Sequence, residues 1–218
     1  MAININNCKP HTDISYFLHY WHTMSDYVAQ ERALNSIFLN GANFFTQDEL
    51  MIKCSALNDF YSTNIFKIYY VVRHYLSIAN MGCRLALGDL SLVSDLRMVP
   101  MPTQPTNLQS VKASVKTAQD LALNTYLPTL NTKRDLYSFA TKFCSHHNPE
   151  AFPIYDRNVD KALRAFRKRD HFFSFNNGDL KCYPKFVKII NAFRDYYKLS
   201  QYSYKDIDRY LWLLGSLL

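Results

Sequence analysis

Glycine is scarce in this chain of 218 residues, with 5 in all. None of them belongs to a P-loop or a G-x-G-x-x-G pattern, so nucleotide hydrolysis and dinucleotide redox chemistry have no support. Neither H-E-x-x-H nor G-x-S-x-G occurs, which removes the zinc-protease and serine-hydrolase readings. The 5 cysteines, Cys8, Cys54, Cys83, Cys144 and Cys182, are odd in number, scattered, and never in a C-x-x-C pair. That pattern argues for reduced thiols and against a structural zinc. Long hydrophobic runs are also missing. The most apolar stretch, near Ile65 to Val72, is far too short to span a bilayer. The opening MAININNCKPHTD lacks the apolar core of a signal peptide. The expectation is a cytoplasmic protein with no membrane partner, no metal and no cofactor. Acidic residues are outnumbered 18 to 25 by Lys and Arg, for a formal charge of +7, which suits an anionic partner.

What is present is an ordinary globular composition, 48% hydrophobic and 20% charged, with an unusual 15% of aromatics, including 16 Tyr and 15 Phe. Most of these belong in a core; an excess of Tyr can also supply stacking surfaces for bases. The apolar spacing is helical nearly throughout. Ile14 to Ile37 predicts one long or broken helix over about 13–39, ended by Asn40-Gly41. Thr46-Gln47-Asp48-Glu49 reads as a capping box. A further helix is expected over about 64–81 with Gly82 as its stop, and a short one around Leu90 to Leu96. Three prolines in Val99–Thr106 interrupt the chain, and a split into two helical lobes is expected near 99–106 within a single domain. A polar helix is expected over 108–126, then one carrying Lys142 and one opened by Asp156. Asn176-Asn177-Gly178 predicts a small β-hairpin near 172–182. Pro184 and Ser203 open the last two helices. The fold class is all-α.

The stretch that carries chemistry runs from Leu136 to Phe166. Asp156 stands immediately before the apolar series Val159, Leu163, Phe166, which makes it an N-cap whose carboxylate can accept a backbone N–H. Lys142 lies fourteen residues upstream, in the preceding helix, and a helical hairpin can bring the two to one cleft. Ala140-Thr141, Pro149 and Pro153-Ile154-Tyr155-Asp156 resemble the helix-hairpin-helix DNA glycosylases of base-excision repair, the superfamily of the 8-oxoguanine glycosylases, in which a helix of the form G-V-G-x-K-x-A-S-A leads to P-V-x-D. The likeness covers about thirty residues. Asn58 to Thr63 and Asp206 to Trp212 also look like segments of proteins with that core.

The resemblance implies a two-lobed helical bundle that binds DNA and cleaves the N-glycosidic bond of an altered base. Asp156 would stabilise positive charge developing on the sugar. A lysine, if neutral, would attack C1′, form a Schiff base and permit strand cleavage. Three positions compete for the lysine's place. Anchored on Asp156, the family's position falls on Ser138, with Lys142 one turn further on the same face. Anchored on Leu127-Pro128, it falls on Lys133, in a segment without the family's hairpin glycines. Members without the lysine cleave only the glycosidic bond. The cluster Arg164, Arg167, Lys168, Arg169 and the pair His146-His147 are the candidates for phosphate contact. Adjacent helical histidines point about 100° apart and rarely share a metal. A cluster of iron and sulfur is excluded, because only Cys182 follows Asp156. Two other readings stay open: a non-catalytic DNA-binding protein on the same scaffold, and a helical interaction protein.

Overall fold

The structure is a computed structural model that describes residues 3–38, 45–101 and 132–218. The polar helix expected over 108–126, and most of the proline-rich break, lie outside the described residues. The described part is helical, with one two-stranded antiparallel ribbon. In chain order, the elements are α1 (Pro10–Thr23), α2 (Ser25–Phe38), α3 (Gln47–Phe60), α4 (Ile68–Leu76), α5 (Met81–Ala86), α6 (Leu92–Arg97), β1 (Met98–Met101), β2 (Thr132–Asp135), α7 (Tyr137–His147), α8 (Arg157–Asp170), α9 (Tyr183–Tyr196) and α10 (Tyr204–Leu217). The all-α class is therefore as read from the periodicity, and one small strand pair accompanies it.

The local chemistry explains the boundaries. The first helical run is broken at Met24, whose backbone leaves the helical region at ψ 75°. Thr46 caps α3 by accepting the Glu49 N–H at 3.1 Å. The Glu49 carboxylate does not complete the capping box and instead pairs with the buried Lys53 at 2.6 Å. α10 has the full box: Ser203 and Asp206 each accept the other's backbone N–H. α4 is shorter than the apolar spacing predicts. Ser62 and Asn64 adopt left-handed φ values of 46° and 53°, which delays the helix to Ile68. The helix ends at Leu76 with Ser77 as its C-cap, short of Gly82, which lies buried inside α5 behind the left-handed N-cap Asn80.

The ribbon is not where the Asn-Asn-Gly signal placed it. β1 pairs with β2 in the register Met98 with Asp135 and Met101 with Thr132. Residues 172–182 form a loop closed by a 3-10 turn, Asp179–Lys181. Asn176 and Asp179 accept each other's backbone N–H, at 2.8 and 3.0 Å. These side chains take the hydrogen bonds that a hairpin would give to a partner strand. Phe172 turns inward against Phe193 and Tyr197 of the α9 region.

Buried side chains from Cys8 to Leu214 form one continuous core. The contact that shapes the site is α8 against α10, the most extensive between any two helices among the described residues. A Cβ added at Gly215 would lie 2.1 Å from the carbonyl oxygen of Asn158. Only a glycine lets the α10 backbone touch the first turn of α8. The start of α8, with Asp156, is thereby brought beside the face of α10 that carries Asp208 and Trp212.

Candidate functional site

The turn from α7 to α8 is held from three sides. Ser138 Oγ donates to the Tyr155 carbonyl at 3.0 Å. Thr141 Oγ1 accepts the Tyr155 N–H at 3.1 Å. The Tyr183 hydroxyl, reaching in from α9, donates to the Pro153 carbonyl at 2.9 Å. The segment Pro153 to Asp156 is thus extended and fixed, and Asp156 emerges at the N-terminus of α8. Its Oδ1 accepts the Asn158 N–H at 2.9 Å, the N-cap bond expected from sequence.

Its Oδ2 accepts from Lys142 Nζ at 3.1 Å. Lys142 is 4% exposed, and Nζ also donates to Ser138 Oγ at 2.7 Å. The face of Tyr61 stands 4.7 Å from the ammonium. Tyr61 is itself oriented by His146: its hydroxyl lies 3.0 Å from Nε2, and the other ring nitrogen meets Asn35 Oδ1 at 3.3 Å. Asn35 Oδ1 only accepts, so Nδ1 carries the proton and Tyr61 donates to Nε2. Burial holds the Tyr61 phenol protonated, pushing it up to about 12.

Beside this group opens a cleft of about 250 Å³. Its apolar wall is Trp21, Tyr27, Leu34, Phe60, Tyr61 and Trp212; its polar side is Glu31, Asp156, Lys205, Asp208 and Arg209, with Gln30 and Ser62 at the border. Trp21, Tyr27 and Trp212 pack together with centroids 5.5 to 5.9 Å apart. Glu31 receives Arg209 at 2.7 Å and Lys205 at 3.2 Å. Burial raises the Glu31 pKa, but the two cations outweigh it and hold the carboxyl below its usual range. Asp208 behaves oppositely. Burial pushes it up to about 7, the Asp156 and Glu31 carboxylates add to the rise, and Lys205 and Lys142 oppose it. Asp208 Oδ1 and Trp21 Nε1 are buried without a hydrogen-bond partner among the described residues. An unmatched acceptor and an unmatched donor at one cleft are costly unless a bound molecule completes them.

The site therefore unites Lys142, Ser138 and Asp156 of the sequence candidates. Lys133 does not join them: it lies exposed on β2, opposite Pro100. His146 and His147 do not face outward for phosphate contact. They lie against Phe38, Phe45 and Phe143, and burial lowers each to about 3, so both are neutral. The basic cluster is divided. Arg164 pairs with Asp160 at 2.5 Å. Arg167 donates to the Phe175 carbonyl at 2.7 Å and to Asn177 at 3.1 Å, tying down the 172–178 loop. Arg169 binds the carbonyls of Ile5 and Cys8 and the Asp170 carboxylate. Lys168 is exposed and is the member suited to an outside anion. Sequence reasoning did not single out Glu31, Tyr61, Lys205, Asp208 or Trp212 as site residues. The signal was partly there: the segments Asn58–Thr63 and Asp206–Trp212 meet at this cleft, and Asp208 and Trp212 share a helix face by their i, i+4 spacing.

Among the described residues no helix is long and apolar enough to cross a membrane. A Haemophilus influenzae protein described only as uncharacterised is 39% identical to this chain over 158 residues, which is 72% of the chain and 62% of the relative. The chain thus spans less than two thirds of that relative's length. No solved structure matches. Residues 13–151, well over half of the chain, match the HI_0787_N family, described as an N-terminal domain; the matched segment contains Glu31, Tyr61 and Lys142 and stops short of Asp156 and Asp208, and on this match the chain belongs to that family.

Proposed function

We propose that this protein binds DNA and releases an altered base by cleaving its N-glycosidic bond, in the manner of a helix-hairpin-helix glycosylase. The observation that carries the reading is the Lys142–Asp156 pair, 3.1 Å apart, at the edge of a cleft with aromatic walls and unmatched polar atoms. A base cannot be reached inside a duplex, so it must be turned out into such a pocket. Trp21, Tyr27 and Trp212 offer stacking surfaces, and the Asp208 carboxyl offers a titratable partner for the edge of the base. Asp156 would face C1′. As the bond to the base lengthens, the sugar gains positive charge, and a fixed carboxylate lowers the energy of that state.

Lys142 has two chemical roles open to it. In its ion pair it is an ammonium and serves as a fixed charge. As a nucleophile it must first give up its proton, and Asp156 Oδ2 is the acceptor at hand. Nζ would then form a bond to C1′ while the glycosidic electron pair leaves with the base; the C1′–O4′ bond would open as Nζ gives up a further proton, leaving the Schiff base, and loss of a C2′ proton would expel the 3′-phosphate and cleave the strand. Lys133, exposed on the ribbon, has no comparable partner among the described residues. A non-catalytic DNA-binding protein on the same scaffold is the second reading, favoured by Leu127–Lys133, which lacks the hairpin glycines of the enzymes.

The test is base release from a panel of duplexes, each with one altered base, combined with borohydride trapping on abasic-site DNA. Release with a trapped adduct that Lys142→Ala abolishes supports the nucleophile. Release without an adduct assigns Lys142 the fixed-charge role. Binding without release from any duplex replaces the enzyme with the non-catalytic reading, and no DNA binding at low salt removes both.

A further inference from the structure

α7 carries Ser138, Lys142 and His146 four residues apart, so the three share one face of the helix. Tyr61, at the end of α3, spans the last two members of that row. Its ring face stands 4.7 Å from Lys142 Nζ, and its hydroxyl reaches His146 Nε2, one turn further on, at 3.0 Å. Neither Tyr61 nor His146 nor Asn35 has a part in the bond-breaking steps above.

The ring is fixed at both ends. At its root, the Tyr61 N–H donates to the Leu57 carbonyl at 3.2 Å, and the chain turns away at once, with Ser62 left-handed at φ 46°. Asn58 holds that turn closed: its Oδ1 accepts from Thr63 Oγ1 at 2.6 Å and from the Ile65 N–H at 2.9 Å. At its tip, the hydroxyl is engaged by His146. The His146 ring packs 5.2 Å from that of Phe38, and its Nδ1–H donates to Asn35 Oδ1 on α2 at 3.3 Å. A buried phenol needs a hydrogen-bond partner. Because His146 supplies it, the tyrosine offers Lys142 its π face alone. The ammonium has three N–H groups. Ser138 Oγ takes one at 2.7 Å and Asp156 Oδ2 another at 3.1 Å. The Tyr61 face supplies the third contact of a cation that is 4% exposed.

We propose that Tyr61 is a positioning residue: anchored through His146 to Asn35, it holds Lys142 Nζ against Asp156, so that the pair meets the sugar in one geometry. This rests on the base-excision reading above and adds to it residues that touch no substrate. Lysine has a long, flexible stem, and a displacement of about 1 Å at a reacting centre can cost about a hundredfold in rate. A ring locked at root and tip removes that freedom.

The test uses the full chain and three variants: Tyr61→Phe, Asn35→Leu and the two combined. Tyr61→Phe keeps the ring and loses only the hydroxyl. Asn35 is exposed, so Asn35→Leu should fold, as circular dichroism and Tm would verify for all three. The first readout needs no DNA: the rate at which sulfosuccinimidyl acetate acylates Lys142, followed by peptide mass spectrometry. Lys142 should react slowly in the wild type and several times faster in each variant. The second readout is single-turnover base release. It should fall about tenfold in each single variant, the consequence of losing a desolvated cation–π contact. The double variant should be no slower than the slower single one, because a chain already broken cannot be broken again. Tyr61→Phe matching the wild type in both readouts would make Tyr61 a packing residue and overturn the proposal. Single effects that multiply in the double variant would overturn it as well. Faster acylation of Lys142 in the variants, with no base release by the wild type on any duplex, supports the hold on Lys142 and overturns the base-excision reading alone.

Discussion

Asp208 offers the most informative perturbation of the cleft. Its carboxyl is raised from an ordinary 3.8 to about 7, first by burial and then by Asp156 and Glu31. Between these values the folded protein binds a proton that the unfolded chain does not, so stability falls as pH rises through the window. Stability from this group is complete below about pH 4 and lost above pH 7. A carboxyl shifted that far costs roughly 4 kcal/mol when ionised, and about half of that is a prudent expectation for a group with some solvent access. Asp208→Asn has no charge to bury. Relative to the wild type, the variant should gain about 2 kcal/mol between pH 5 and pH 8, which is roughly 4–8 °C in Tm for a chain of this size. Thermal unfolding of both proteins at several pH values, in one buffer series, would measure this. If base release occurs, its pH profile should also lose an inflection near 7 in the variant, because the edge of the base would no longer meet a titrating group. A stability difference that is the same at pH 5 and pH 8 would refute the reasoning, whatever its absolute size.

Other expectations follow from the same geometry. Gly215→Ala forces a Cβ into the Asn158 carbonyl and should destabilise by about 1–3 kcal/mol or more, with any activity falling further as Asp208 moves off Asp156; chemical denaturation and a crystal structure would both report it. His147 is held neutral far below its ordinary pKa, so its contribution to stability is present above about pH 6.5 and lost as pH falls towards 3; His147→Phe should flatten the acid limb of the unfolding profile. Arg169→Ala loses bonds to Ile5, Cys8 and Asp170 and should cost about 1–3 kcal/mol, whereas Lys168→Glu should change stability by about 0.5 kcal/mol or less while weakening DNA binding and its salt dependence.

The sequence carried the local features well and the distant ones poorly. Asp156 was legible as an N-cap because the signal is confined to one turn and the apolar series after it. The Lys142–Asp156 pairing was legible because fourteen residues of helix and turn leave few geometries. Ser203 was readable for the same reason, as a cap on α10. Asp208 was not, because an acid on a helix face reads as solvated until its neighbours are known, and those neighbours are remote: Glu31 meets Arg209 across 178 positions. His146 and His147 sit at the polar end of a helix by sequence, yet Phe38 and Phe45 from other segments cover them. The ribbon was hidden because its two strands are four residues each and lie far apart in the chain. The Asn-Asn-Gly signal misled because Asn176 and Asp179 can close a turn by themselves.

The central claim is that Asp156 is a catalytic carboxylate as well as a helix cap. Asp156→Asn separates the two roles, since Asn also caps helices well. The direct measurement is the single-turnover rate of base release, per folded molecule, for the wild type and Asp156→Asn on a duplex that the wild type processes. A carboxylate that stabilises a developing sugar cation contributes several kcal/mol, and each 1.36 kcal/mol is about tenfold in rate. The account predicts a fall of about a hundredfold or more, with DNA binding and Tm nearly unchanged. A variant that releases the base at the wild-type rate would contradict it and leave Asp156 as a cap alone.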